Sequence, residues 1–143
     1  MTKDDDLVLI LTKKAPAIPE KNYVPVYEFV MKNAQTKEEM GRIHLRVGTS
    51  DNENLYYGGN IGYRVHEKFR GNHYAARACK LLFPLAKQHG INPLFITCDP
   101  DNTPSRSTCE LAGGTLVEIV DVPEYNDQYP LGARERCRYK FNL

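Results

Sequence analysis

One helical period dominates the middle of the chain. From Tyr74 to His89, apolar residues fall at Tyr74, Ala78, Leu81, Leu82 and Leu85, steps of three and four that draw a stripe along one helix face. Gly90 supplies a C-cap and Pro93 prevents resumption, while Pro84 inside the helix removes one backbone bond and bends its last turn. A helix with one apolar stripe must lie on something, and strand-like segments flank it. Ahead stand Leu7 to Lys13, Tyr23 to Lys32, Arg42 to Val47 and Tyr57 to Val65. Pro25 marks an edge or a bulge in the second, and Ile43, Leu45 and Val47 alternate strictly in the third. Behind stand "LFITCD" (Leu94 to Asp99), apolar on both faces, then Thr115 to Val122 and Arg136 to Leu143. Between them a shorter helix begins near Asn102, with Thr103 as N-cap and Pro104 as first helical residue, and ends at Gly113-Gly114.

The order of four strands, helix, strand, helix and two strands predicts an antiparallel meander, after which the long helix carries the chain to a parallel neighbour. The fold class is α/β (α+β), with a mixed, mainly antiparallel sheet of about seven strands and two main helices. At 143 residues the chain fits one domain, 1–143. The balance of 19 basic against 18 acidic residues gives no reason to expect nucleic-acid or anionic-membrane binding. No apolar run approaches the roughly 20 residues of a bilayer span. "LVLILT" follows Asp4-Asp5-Asp6 where a secretory signal needs positive charge, so it reads as a strand. Cys79, Cys98, Cys109 and Cys137 include no C-x-x-C pair, which points to reduced, mostly buried thiols in a cytoplasmic protein and to no metal site.

"RGNHYA" (Arg70 to Ala75) joins the fourth strand to the long helix. The first amides of a helix lack internal partners and carry partial positive charge, so an anion can sit on the amides of Gly71 to Ala75 with Arg70 reaching in. The same residues also suit a plain strand-to-helix turn in which Gly71 supplies a positive φ.

With "NIGYRV" before this turn and "TCDPDNTPSRSTCELAGG" after the next strand, the sequence resembles the GNAT superfamily of acyl-CoA-dependent N-acyltransferases. The resemblance runs from about Arg42 to Val122 and is nearest to the ribosomal-protein N-terminal acetyltransferase branch. The family's turn reads Arg or Gln, two variable residues, Gly, a variable residue, then Gly or Ala. Arg70 and Ala75 match the outer positions, Gly71, Asn72 and Tyr74 are usual companions, and His73 occupies the glycine's place. The resemblance implies that these amides hold the CoA pyrophosphate and that the strand backbone at Tyr63 and Val65 pairs with the pantetheine arm. It also implies that Asn102 and Ser105, matching "N-x-x-S/A", face that arm. An ordinary helical φ is expected at His73, with its imidazole near the phosphates or the acceptor mouth.

The implied reaction is attack of a primary amine on the thioester of acetyl-CoA. The family's usual acid is a tyrosine seven residues after the asparagine; Cys109 holds that position here, as a proton donor or as a packing residue. No base declares itself among Glu28, His44, Tyr63, His73, Glu118 and Glu124, and Tyr63 is the best placed. Tyr125 and Tyr129 are expected on the acceptor side, and His66 in a loop with no special role. The family's two helices between its first strands are replaced by "KKAPAIPEKN". The acceptor groove is therefore expected to open on one side, suited to a large acceptor or closed by a second subunit in a homodimer; the acceptor itself is an amine-bearing small molecule or protein. A CoA-binding protein without transferase activity and another phosphate-ligand module are the alternative readings.

Overall fold

The computed structural model describes residues 3–143. The chain runs β1 (Lys3–Asp4), β2 (Leu7–Ala15), β3 (Val26–Asn33), β4 (Glu39–Arg46), α1 (Glu53–Gly58), β5 (Ile61–Val65), α2 (Tyr74–Gln88), β6 (Leu94–Cys98), α3 (Thr103–Leu111), β7 (Thr115–Asp121) and β8 (Glu135–Phe141). Short 3₁₀ turns lie at Pro19–Lys21 and Glu67–Phe69. The first five strands form the expected antiparallel meander in order. The last three form a second antiparallel sheet in the order β6-β8-β7.

The expected parallel step from β5 to β6 is corrected by this division, because the two strands belong to different sheets. They meet only at one end. The Asn60 N–H donates to the Phe95 carbonyl at 2.7 Å, and Asn60 Oδ1 accepts from the Phe95 N–H at 3.0 Å. The other half of the same amide donates to the carbonyls of Arg46 and Gly48. Asn60 is 2% exposed, so one satisfied side chain ties β4, β5 and β6 at the point where the sheets part. Gly59 permits this approach: its φ is +73°, and a Cβ there would lie 3.0 Å from Phe95 O and from Thr97 N. Gly59→Ala is expected to cost about 2 kcal/mol or more, since both the φ and the contact with backbone resist a methyl group. Urea unfolding reads this directly.

Helix α2 lies on the meander through Ala78, Cys79, Leu82 and Ala86, packed against Leu7, Leu9, Met31, Ile43 and Leu45. Leu81 and Leu85, expected at the centre of the stripe, flank it and are only partly buried. Burying Leu82 alone is worth roughly 1.5–3 kcal/mol. Pro84 is accommodated inside the helix as expected. The second sheet closes the core with Leu94, Ile96, Tyr139 and Phe141.

Two stretches differ from the sequence reading. Residues 53–58, expected as a loop and a strand start, form helix α1, with Asn52 Oδ1 accepting from the N–H groups of Asn54 and Leu55. Six residues are too few to show a helical period. Strand β2 continues to Ala15, and the rest of the connector to β3 is the turn at Pro19–Lys21 closed by the bridge between Ile18 and Tyr23. Among the described residues this connection contains no α-helix.

Candidate active site

The turn before α2 is a cradle of unused donors. Among the described residues, the amides of Gly71 through Ala76 make no hydrogen bond; the first to find an acceptor is Arg77, whose N–H donates to the His73 carbonyl at 3.0 Å. Gly71 has φ +89°, and nothing lies within 4 Å of where its Cβ would be, so the space above the turn is open. His73 departs from the expected helical φ. It is the N-cap residue, left-handed at φ +60° and ψ +24°, with no side-chain capping bond. This is a conformation glycine adopts freely and histidine tolerates at a cost of roughly 1–2 kcal/mol. His73→Gly is therefore expected to stabilise the fold by about 0.5–1 kcal/mol, the relief of strain less the added unfolded-chain entropy. The β-branched His73→Val is expected to destabilise it, both measured by urea unfolding.

Two acidic residues fix this helix end. Asp6 accepts from the Tyr74 hydroxyl at 2.5 Å and from Arg77 Nη2 at 2.7 Å, and Asp4 accepts from Arg77 Nε at 2.8 Å. These bonds, that from Tyr74 first, hold the Asp6 carboxyl below its ordinary range. In the sequence this acidic run argues only against a secretory signal. Its pairing with Arg77 spans the whole meander and has no local signature.

A cavity of about 540 Å³ extends from the cradle along the outer edge of β5 to the start of α3. Tyr63, Val65, Arg70, Gly71, His73, Tyr74, Ala75, Asn102 and Ser105 all line it. Asn72 does not; its side-chain amide donates to the Phe69 carbonyl at 3.2 Å and shapes the turn. Arg70 reaches back instead of into the cradle, its Nε donating to the Val65 carbonyl at 3.1 Å. The β5 register exposes the intended edge. The His66 N–H donates to Met40 and the Asn60 carbonyl accepts from Arg46, so the even-numbered residues bond to β4. The backbone groups of Ile61, Tyr63 and Val65 therefore point into the gap between the sheets.

A second cavity of about 390 Å³ lies on the other side of the same wall, between β5 and β6, and opens to solvent. Tyr63, Asn102 and Ser105 line both. Asn102, not Thr103, caps α3, its Oδ1 accepting from the Ser105 N–H at 3.1 Å. The Tyr63 hydroxyl and Ser105 Oγ are 2.6 Å apart. Burial pushes the Tyr63 phenol well above its ordinary range, so it keeps its proton. A phenol that keeps its proton argues against the role of base for which the sequence made Tyr63 the best placed. Cys109 is fully buried and lines neither cavity; the neighbouring Cys98 thiol and burial push it up, which leaves it a packing residue behind Tyr63. Cys98, which the sequence reading did not single out, lines the second cavity. Its thiol is held below its ordinary range, first by the neighbouring Cys109 thiol.

The remaining candidates separate. Glu28 and His44 line a small recess beside Tyr63. Glu118 accepts from the Tyr56 hydroxyl at 2.9 Å and from Arg138 Nε at 3.3 Å, and Glu124 is exposed outside both cavities. His66 pairs with Glu39 at 2.6 Å. Tyr125 is 76% exposed, and Tyr129 stacks under Arg134; the loop offers Gln128 and Leu131 to the second cavity instead. Among the described residues no group of three or more His, Cys, Asp or Glu stands together to hold a metal ion. No helix of the described residues is long and apolar enough to cross a membrane.

A family model described as acetyltransferase (GNAT) domain matches residues 5–115. No curated protein matches the chain. Among solved structures, the chain is similar to the microcin C7 self-immunity acetyltransferase MccE in complex with acetyl-CoA and AMP. That match has 18% identity and a TM-score of 0.63, covering 82% of this chain and 61% of that one. The ribosomal-protein alpha-N-acetyltransferase RimL, in complex with CoA, matches at 18% identity and TM-score 0.63, over 87% of this chain and 64% of that one. The ribosomal-protein-S5-alanine acetyltransferase from Vibrio fischeri matches at 16% and 0.63, over 87% and 64%. The chain thus spans about three fifths of the length of the structures it resembles.

Proposed function

The chain belongs to the acetyltransferase (GNAT) family, and from that premise we propose that it transfers an acetyl group from acetyl-CoA to a primary amine by direct attack on the thioester. The observation that carries this reading is the shared wall. The cavity holding the unused amides and the cavity open to an acceptor meet at Tyr63, Asn102 and Ser105.

The residues present fit the donor. Of the unpartnered amides from Gly71 to Ala76, those of Gly71, His73, Tyr74 and Ala75 belong to residues that line the cavity and suit the pyrophosphate, helped by the positive end of α2. The outward backbone of Tyr63 pairs with the amides of the pantetheine arm as an added strand would; the Val65 carbonyl is already taken by Arg70, leaving its N–H. Either hydroxyl of the Tyr63–Ser105 pair can donate; with Ser105 as the donor, the Tyr63 proton exchanges its long 3.5 Å contact with the Ser105 carbonyl for the gap between the sheets. There it stabilises the charge that develops as the thioester opens. The phenol pKa lies above that of an ordinary thiol, so Tyr63 acts as a hydrogen-bond donor to the leaving sulfur, and the amine's own proton completes the exchange. An acceptor amine enters from the open side, between Gly62 and Cys98.

The test is release of CoA thiol by the full chain with acetyl-CoA and a panel of primary amines, small molecules and peptide N-termini together. Thiol release that depends on an amine, with a matching acetylated product, is the expected outcome. Tight binding of acetyl-CoA without turnover on any amine would leave a CoA-binding protein and reject the enzyme.

A further inference from the structure

The acceptor side contains a cation that no carboxylate among the described residues neutralises. Arg46, the last residue of β4, lines both the acceptor-side cavity and a groove of about 350 Å³ that continues from it. Its Nη1 donates to the carbonyls of Gly58 and Gly59 at 3.1 Å each. Nε and Nη2 have no acceptor, and no carboxylate pairs with the guanidinium among the described residues. Burial alone pulls its pKa down. The other cation of the cavity, Arg136, is fully engaged: Nη1 with Asp99 at 2.8 Å, and Nε with Gln128 Oε1 at 2.8 Å. Asp99 is thereby spoken for, and Asp127, on the groove, is exposed and pairs with neither arginine. A mostly buried guanidinium without a counter-anion is unfavourable, and its two unused donor groups form a fork suited to a planar carboxylate.

We propose that Arg46 binds a carboxylate of the acceptor, so that the substrate is a primary amine carrying a carboxylate near the reacting nitrogen. This rests on the acetyltransferase reading above and gives it a substrate class. Two sources share the chemistry, a free amino acid and the N-terminus of a peptide with an acidic side chain.

The experiment measures kcat/KM at saturating acetyl-CoA for matched acceptors: glutamate against its diamide, and a peptide with aspartate at its second position against the same peptide with asparagine. At least one acid is expected to exceed its amide by about tenfold or more, the effect of one charge-assisted pair. Arg46→Gln is expected to bring that ratio below about threefold, and Arg46→Lys, which keeps the charge but loses the fork, to retain only part of it. Acetyl-CoA affinity by calorimetry should stay within about twofold in both variants, which shows that they fold. The pair that shows the preference identifies the source. Equal rates for acid and amide in both pairs, or a preference that survives in Arg46→Gln, overturns the proposal. If acetyl-CoA binds but no amine is acetylated, the transferase reading fails separately. Calorimetry of the same acceptors on CoA-loaded protein then decides the anion site, an Arg46-dependent preference for the acid upholding it and no preference overturning it.

Discussion

Tyr63→Phe is expected to lower kcat by about 10²–10³-fold while leaving the KM for acetyl-CoA within about threefold. The change deletes one hydroxyl and keeps the ring that packs against the core. The hydroxyl is 2.6 Å from Ser105 Oγ, on the wall common to both cavities, and burial keeps it protonated. A donor fixed in a partly buried site costs no reorganisation when charge develops beside it, so its loss falls on the transition state and not on ground-state binding. Ser105→Ala leaves the phenol in place but unoriented, and a smaller loss is expected. A Tyr63→Phe enzyme within threefold of wild type in kcat would remove Tyr63 from the reaction.

Acid is expected to destabilise the fold through His44 well before the carboxylates titrate. The His44 ring lies over Gly62, where an added Cβ would come within 2.4 Å of the imidazole, and its buried Nε2 has no partner. Burial, then the charge of Arg46, holds its pKa down to about 4. Arg42, Arg64 and Glu28 line the same recess. Unfolded, the ring takes a proton below about pH 6.5, and folded it resists until about 4. Between those values the unfolded state binds more protons, so stability is full above pH 6.5 and falls as the pH drops, by about 3 kcal/mol in all. Urea unfolding from pH 7 to 4 measures the slope. His44→Phe is expected to flatten it across this window. The lowered pKa values of Asp6, Glu38 and Glu39 add to the decline as these carboxylates take up protons at lower pH. An unchanged slope in His44→Phe would contradict the assignment.

Elements with a clean period were legible in the sequence. The stripe of α2, the alternation of β4 and the proline-led start of α3 each come from residues close in the chain. The parting of the sheets was not, because it depends on Asn60 bonding to Phe95, Arg46 and Gly48, partners that no local pattern connects. The cradle was legible as a turn before a helix, but not the backbone of His73. Periodicity places the first apolar residue at Tyr74 and cannot separate a capping residue from a first helical turn. The family's glycine at that position was the available clue, since it marks a place where a left-handed φ is needed. Arg46 was invisible for the opposite reason. Alternation puts it on the polar face of β4, where a charged residue calls for no explanation until its missing partner is seen in three dimensions.

A crystal structure of the protein with acetyl-CoA tests the donor site most directly. The pyrophosphate is expected on the amides between Gly71 and Ala75, the pantetheine arm along the open edge of β5, and the thioester sulfur within hydrogen-bonding reach of the Tyr63 hydroxyl. A pyrophosphate bound away from the turn, or a thioester on the far side of α3 from Tyr63, would contradict this placement.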